Sequence, residues 1–155
     1  MLRLNRMTDY AIIVLNALAR RRGETLATGY LADLTGLAQP TVAKVSKMLL
    51  AAGLVETQRG VRGGYRLTKT LAQISLVDIV EAMEGPILVT ARAGERQDPT
   101  ALSDNGAMSR HWNHVNLAIR TALKDVTLED LTKAVQIFPL PDRLPLMKDD
   151  QRFAS

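Results

Sequence analysis

The sequence contains no cysteine. That absence removes disulfides, and with them every metal or cluster site built on thiolates. It also has no apolar run approaching the ~18 residues that a bilayer crossing requires. The opening MLRLNRMTDY holds no apolar segment or small-residue cleavage site of the secretory kind, so a cytoplasmic location is expected. No glycine-rich stretch ends in Lys-Ser or Lys-Thr before a helix, as a phosphate-binding loop does. No nucleophile stands at a recognisable spacing from a base, so no enzyme is expected. Histidine is scarce: His111 and His114 are the only two. Three apart, they share a helix face, and with Asp104 or Glu95 upstream they have the donors for a divalent metal. A solvated pair flanking Trp112 is the simpler reading, and no metal is expected.

What is present suits one domain with a real core, or a small domain with an arm: 155 residues, 46% hydrophobic and 23% charged. Charge is unevenly placed. Residues 1–70 carry 11 Lys/Arg against 4 Asp/Glu, and the remainder carries 9 against 12. A basic first half implies a polyanionic partner, set against the alternative of a merely lopsided surface.

Ala11, Ile12, Leu15, Leu18 and Ala19 give the first half a helical stripe after Thr8, a candidate N-cap. Arg20, Arg21 and Arg22 complement the C-terminal end, and Gly23 closes it. Leu31, Leu34 and Leu37 mark a short helix broken at Gly36. Gln39 and Pro40 open a longer one, with Val42, Val45, Leu49 and Ala52 as its buried stripe and Gly53 as its stop. Short helix, tight turn and longer helix make a helix-turn-helix pattern. Gln39, Thr41, Lys44, Ser46 and Lys47 are assigned to the outward face. Polar side chains near the N-terminus and cations beyond it suit a helix that reads bases and meets phosphates.

Residues 58–67 read QRGVRGGYRL. Leu54–Gln58 and Tyr65–Thr68 are candidate strands, and the intervening glycines suit a hairpin tip that approaches another molecule closely. Arg59, Arg62 and Arg66 lie in or beside that tip. A cationic hairpin directly after a helix-turn-helix is a wing, able to lie along DNA and place an arginine in the minor groove.

In the second half, Ser75 and Asp78 form a capping box before LVDIVEAMEG. Residues 90–107 read as a long polar loop. Trp112, Val115, Ile119, Ala122 and Val126 step 3-4-3-4, heptad spacing that suits either a dimerisation helix or packing within the chain. Thr127 and Asp130 cap a further helix reaching about Gln136, and a proline-containing tail follows. The expected fold is mainly α with a small β-hairpin. It divides into a winged helix-turn-helix domain over 1–70, a connecting helix and loop over 71–107, a long dimerisation helix with its follower over 108–136, and a flexible tail over 137–155.

MLRLNRMTDYAIIVLNALA, the RGxxGGYxL string at Arg59–Leu67, ISLVDIVEAMEGP and SRHWNHVNLAIRTALKDVTLEDL together resemble the Rrf-type winged-helix regulators, the group of IscR, NsrR, RirA and CymR. The resemblance covers roughly residues 1–135 and is nearest the branch that regulates SUF iron–sulfur assembly. It implies a homodimeric transcription regulator, usually a repressor, binding double-stranded DNA at an inverted-repeat operator. It also implies DNA contacts from Gln39, Pro40, Thr41, Lys44, Lys47, Arg59, Gly60, Arg62, Gly63, Gly64 and Tyr65, with dimerisation through the Trp112–Val126 stripe.

The family normally holds an iron–sulfur cluster on three loop cysteines. Here Arg92, Thr100 and Gly106 stand at those positions, and none replaces a thiolate. No cofactor is therefore expected. Asp9 matches a position that gives a ligand from the other subunit in NsrR; without cysteines it reads as first-turn dipole chemistry. Ala43 stands where some members carry a glutamate that adjusts site choice. A regulator controlled by a partner protein, or a winged-helix protein-interaction module, is the competing expectation.

Overall fold

The computed structural model describes residues 5–87 and 106–137, with side chains over 5–87 and 111–133. Six helices and one hairpin follow in the order α1 (Arg6–Arg20), α2 (Thr28–Thr35), α3 (Gln39–Ala51), β1 (Val55–Gln58), β2 (Gly64–Leu67), α4 (Leu76–Glu84), α5 (Gly106–Asp125) and α6 (Leu128–Ile137). A single 3-10 turn, Leu71–Gln73, precedes α4.

The start of α1 is not capped by Thr8. Asn5 is the N-cap, and its side chain accepts from the Met7 N–H. Thr8 lies inside the first turn, fully buried, and its hydroxyl donates to Glu84 Oε1 at 2.8 Å. The same oxygen accepts the Asn5 N–H at 2.7 Å. In a capping box an acid three residues on would take that N–H. Here the acid comes from the last turn of α4, 79 residues away. One carboxylate thus complements the α1 dipole and ties α1 to α4. Glu84→Ala is expected to destabilise the fold by about 1–2 kcal/mol, because it removes a cap and orphans a buried hydroxyl. Glu84→Gln, which keeps an acceptor oxygen, should lose less. Urea denaturation of the two variants checks the order.

Beyond α1, Gly36 in the left-handed region (φ 71°) ends α2 and turns the chain into α3. α3 stops at Ala51, so Ala52 is an exposed cap and not the last residue of the buried stripe. The strands pair antiparallel with Val55 opposite Leu67 and Gln58 opposite Gly64. Leu26 adds a bridge to Tyr65, with paired N–H···O bonds of 2.8 and 2.9 Å.

Leu15, Leu31, Val42, Val45, Leu49 and Leu54 are fully buried at the centre. The core continues past residue 70 to Ile74, Ile79, Met83 and Leu128. Ser75 and Asp78 make the expected reciprocal box at α4. At α6, Thr127 and Asp130 exchange N–H bonds of 3.0 and 3.2 Å. Donation from the Thr127 N–H and hydroxyl holds the Asp130 carboxyl below its ordinary value of 3.8. α6 is anchored by Leu128, whose burial contributes roughly 2–3 kcal/mol, and by Thr132, whose hydroxyl donates to Asn16 Oδ1 of α1.

A smaller cluster of Val77, Val80 and Ile87 receives Ile119 and Leu123 of α5. Arg120 of α5 pairs with Glu81 of α4, whose Oε1 also accepts the Ile87 N–H. α5 begins at Gly106, so the last two residues of the expected 90–107 loop are helical. No helix among the described residues is long and apolar enough to cross a membrane.

Candidate nucleic-acid interface

On α3 the exposed residues Pro40, Lys44, Lys47 and Ala51 step 4-3-4 along one line, with Gln39 exposed and Thr41 and Ala43 half-buried beside it. The buried line is Val42, Val45, Ser46 and Leu49. Ser46 therefore belongs to the core side, not to the outward face. It lies four residues after Val42 and three before Leu49, and is only 1% exposed. Its hydroxyl has no hydrogen-bond partner. Burying an unpaired hydroxyl is unfavourable, so Ser46→Ala is expected to stabilise the protein by up to ~1 kcal/mol. It should leave DNA affinity unchanged, unlike substitutions at Gln39 or Thr41. Thermal melts and a DNA titration of the same variant check both halves.

The helix starts differ in chemistry. α1, α4 and α6 have side-chain partners at their N-termini. α2 and α3 begin on Ala27 and Ala38, with no side-chain cap and no acid in the first turn. Their first N–H groups and positive dipole ends are left to an outside acceptor, which phosphate oxygens match. The two starts are close together: the Gln39 amide nitrogen lies 3.8 Å from where a Gly29 Cβ would stand.

The wing owes its glycines to its own chain. A Cβ on Gly63 would lie 2.6 Å from Gln58 O, and one on Gly64 would lie 2.2 Å from Leu26 O. Gly60 adopts φ 115°, and its carbonyl accepts the Gly63 N–H at 2.9 Å to close the tip. Glycine at 63 and 64 thus serves close packing inside the hairpin rather than approach to another molecule. Tyr65 is half-buried against the core and holds the Leu26 bridge.

Ion pairing separates the cations into two groups. Arg21 pairs with Glu24, Arg66 with Glu56, Arg120 with Glu81 and Lys133 with Glu129. Among the described residues, Lys44 and Lys47 of α3 and Arg59 and Arg62 of the tip are exposed and have no ion pair, as is true of Arg6, Arg20, Arg22, Lys69 and Lys124 elsewhere. Sequence proximity groups Arg66 with the tip, but β pairing sets it opposite Glu56 on the strand. A shallow cleft of about 280 Å³, lined by Leu18, Arg22, Glu56, Arg66 and Lys69, involves none of the α3 or tip cations.

The 3-4-3-4 stripe on α5 is divided. Trp112, Ile119 and Val126 are half-buried, whereas Val115 and Ala122 are exposed. Within the chain the half-buried line is Trp112, Asn116, Ile119, Leu123 and Val126, so Asn116 and Leu123 take the places expected of Val115 and Ala122. Asp9 is exposed in the first turn of α1. His111 and His114 are exposed, and no group of three His, Asp or Glu residues suited to a metal occurs among the described residues. Glu95, Asp104, Arg92 and Thr100 lie outside the described residues, as does the tail beyond 137; Gly106 is the first residue of α5.

A helix-turn-helix with a cationic wing is matched over residues 4–134 by the family model Rrf2, described as an iron-dependent transcriptional regulator. The chain belongs to the Rrf2 family. It is therefore a winged-helix, DNA-binding transcriptional regulator and not an enzyme. It is 32% identical over 135 residues to the transcriptional repressor NsrR of Streptomyces coelicolor, covering 86% of this chain and 90% of that one. With the transcriptional regulator CymR of Bacillus subtilis it shares 29% over 123 residues, covering 79% and 83%. The solved structure of that CymR, a global cysteine regulator, superposes with a TM-score of 0.64 at 27% identity, over 86% of this chain and 98% of CymR. T. potens IscR gives 0.61 at 23% identity, over 90% and 93%, a likeness of fold.

The family's iron dependence finds no matching donors here. Iron–sulfur clusters are held by soft thiolates, and this chain has none. Its two histidines bring no third donor among the described residues. The residues present do not fit a cysteine-ligated cluster.

Proposed function

We propose that this member of the family is a homodimeric repressor that reads an inverted-repeat operator without a cysteine-ligated cluster. α3 enters the major groove, with Gln39 and Thr41 toward base edges and Lys44 and Lys47 toward phosphates. The wing carries Arg59 and Arg62 to the adjacent backbone and minor groove. The observation that carries this reading is that four exposed cations without an ion pair, Lys44, Lys47, Arg59 and Arg62, lie on the second helix of the helix-turn-helix and on its wing. The uncapped starts of α2 and α3 support it.

Pairing of two copies is supported by apolar groups on α5 that its own chain leaves exposed, Val115 and Leu117 foremost, with Ala118 and Ala122. One winged helix covers one half-site, and a two-fold partner supplies the second. Resemblance of the wing and α1 motifs to the SUF branch suggests iron–sulfur assembly genes as targets.

Two measurements test the proposal. Binding to an operator duplex, selected by the protein from random DNA, should weaken steeply with salt at a log–log slope of about 0.9 per phosphate neutralised. That affinity should be the same within twofold after iron chelation or nitric oxide treatment. A tenfold response to either reagent overturns the cluster-free reading, and equal affinity for selected and random DNA overturns the regulator as drawn.

A further inference from the structure

We infer that Val61 makes the wing reject G·C pairs in the minor groove, so that part of the operator preference is set at the hairpin tip and not on α3. The inference rests on the wing placement proposed above.

The tip turn runs from Gly60 to Gly63 and is closed by the Gly63 N–H to Gly60 O bond of 2.9 Å. Its two central residues are Val61 and Arg62. Gly63 and Gly64 have no room for a side chain, and Gly60 holds a positive φ. The apex therefore presents two side chains, one apolar and one cationic. Val61 is 107% exposed, against 62% for the next large hydrophobic residue among those described, Leu117. A solvated valine contributes nothing to the core. Turn centres are ordinarily filled by Gly, Pro, Asn, Asp or Ser. The fold thus gives no reason for an apolar group there, whereas a partner surface does.

Arg59 and Arg62 determine what that surface is. They bring the apex to a polyanion, next to a groove already occupied by α3. The neighbouring minor groove is about 6 Å wide, too narrow for a helix but open to a two-residue apex. Its walls are deoxyribose C–H groups, which valine methyls can contact. Its floor over A·T pairs offers only acceptors, N3 and O2, which the Arg62 guanidinium can meet. Over G·C the floor adds the guanine 2-amino donor. Valine has no acceptor for it. Seating the apex there would bury an N–H with no partner, which is costly.

The test uses the intact protein and a duplex it selects from a random pool. The wing-facing base pairs are changed from A·T to G·C, and separately to inosine·cytosine. Inosine lacks the 2-amino group, so its pair shows the minor groove of A·T and a major groove like that of G·C. G·C should lower affinity by about tenfold, the scale of one mismatched pair, and inosine·cytosine should restore it. Val61→Ser should remove the difference between those two duplexes, and Val61→Ile should keep it. Equal loss with G·C and inosine·cytosine would overturn the inference, as would a Val61→Ser variant that still discriminates. Either result leaves operator selection intact and the proposed regulator standing. Failure to select any duplex removes both.

Discussion

Gly64→Ala is expected to unseat the wing and abolish operator binding. The new Cβ would lie 2.2 Å from Leu26 O, 2.3 Å from Leu26 C and 2.6 Å from Ala27 N. All three are backbone atoms, so no rotamer change relieves the contact. Either the Leu26–Tyr65 bridge opens, freeing two buried-edge hydrogen bonds, or β2 shifts and takes Tyr65 off the core. Strain and lost bonds together should cost about 3 kcal/mol or more. The urea midpoint should fall with the slope unchanged. Gly60→Ala is the internal control. It meets nothing within 4 Å at φ 115°, so it bears only backbone strain of about 1–2 kcal/mol. A Gly64→Ala protein with the parent's midpoint would show that the Leu26 contact does not constrain the hairpin.

Neutralising Arg59 and Arg62 together should reduce the salt dependence of operator binding by about 1.8 in log–log slope, and affinity on the order of tenfold to a hundredfold. Neither guanidinium has a carboxylate to leave behind, so the substitutions expose no unpaired acid and the fold should tolerate them. Arg66→Ala provides the contrast. Its guanidinium is engaged by Glu56, so it has less charge to offer DNA, and the slope should change by well under one unit. Anisotropy titrations across a salt series separate the two cases. Equal slope changes for Arg66 and for Arg62 would mean that ion pairing does not sort the cations.

How much of this was legible depended on distance along the chain. The boxes at Ser75–Asp78 and Thr127–Asp130 close within one turn, and local spacing reveals them. The α1 cap does not, because its acid is Glu84 and nothing near Thr8 announces it. The hydroxyl of Ser46 suggests an outward position, whereas its spacing from Val42 and Leu49 puts it inside. Ala52 matched the stripe, yet the helix had already ended. The hairpin could be read from its glycines, but their reason could not: Gly64 is constrained by Leu26, thirty-eight positions earlier and outside the wing motif. On α5 a heptad pattern cannot say which apolar line faces home. α4 settles it by taking Ile119 and Leu123 and leaving Val115 exposed.

The chain passes Ile74–Leu76 at the start of α4 and returns beside them at Val126–Leu128. Ser75 bridges Thr127, the Leu76 N–H meets Val126 O at 2.7 Å, and the Leu128 N–H meets Ile74 O at 2.7 Å. Those paired bonds clasp the chain on either side of α4 and α5. Closure entropy grows slowly with length, by about 0.6 kcal/mol per doubling. Changes of length between α4 and α5 accordingly cost the fold little closure entropy. The clasp fixes where α6 re-enters the core whatever the length of chain between α4 and α5.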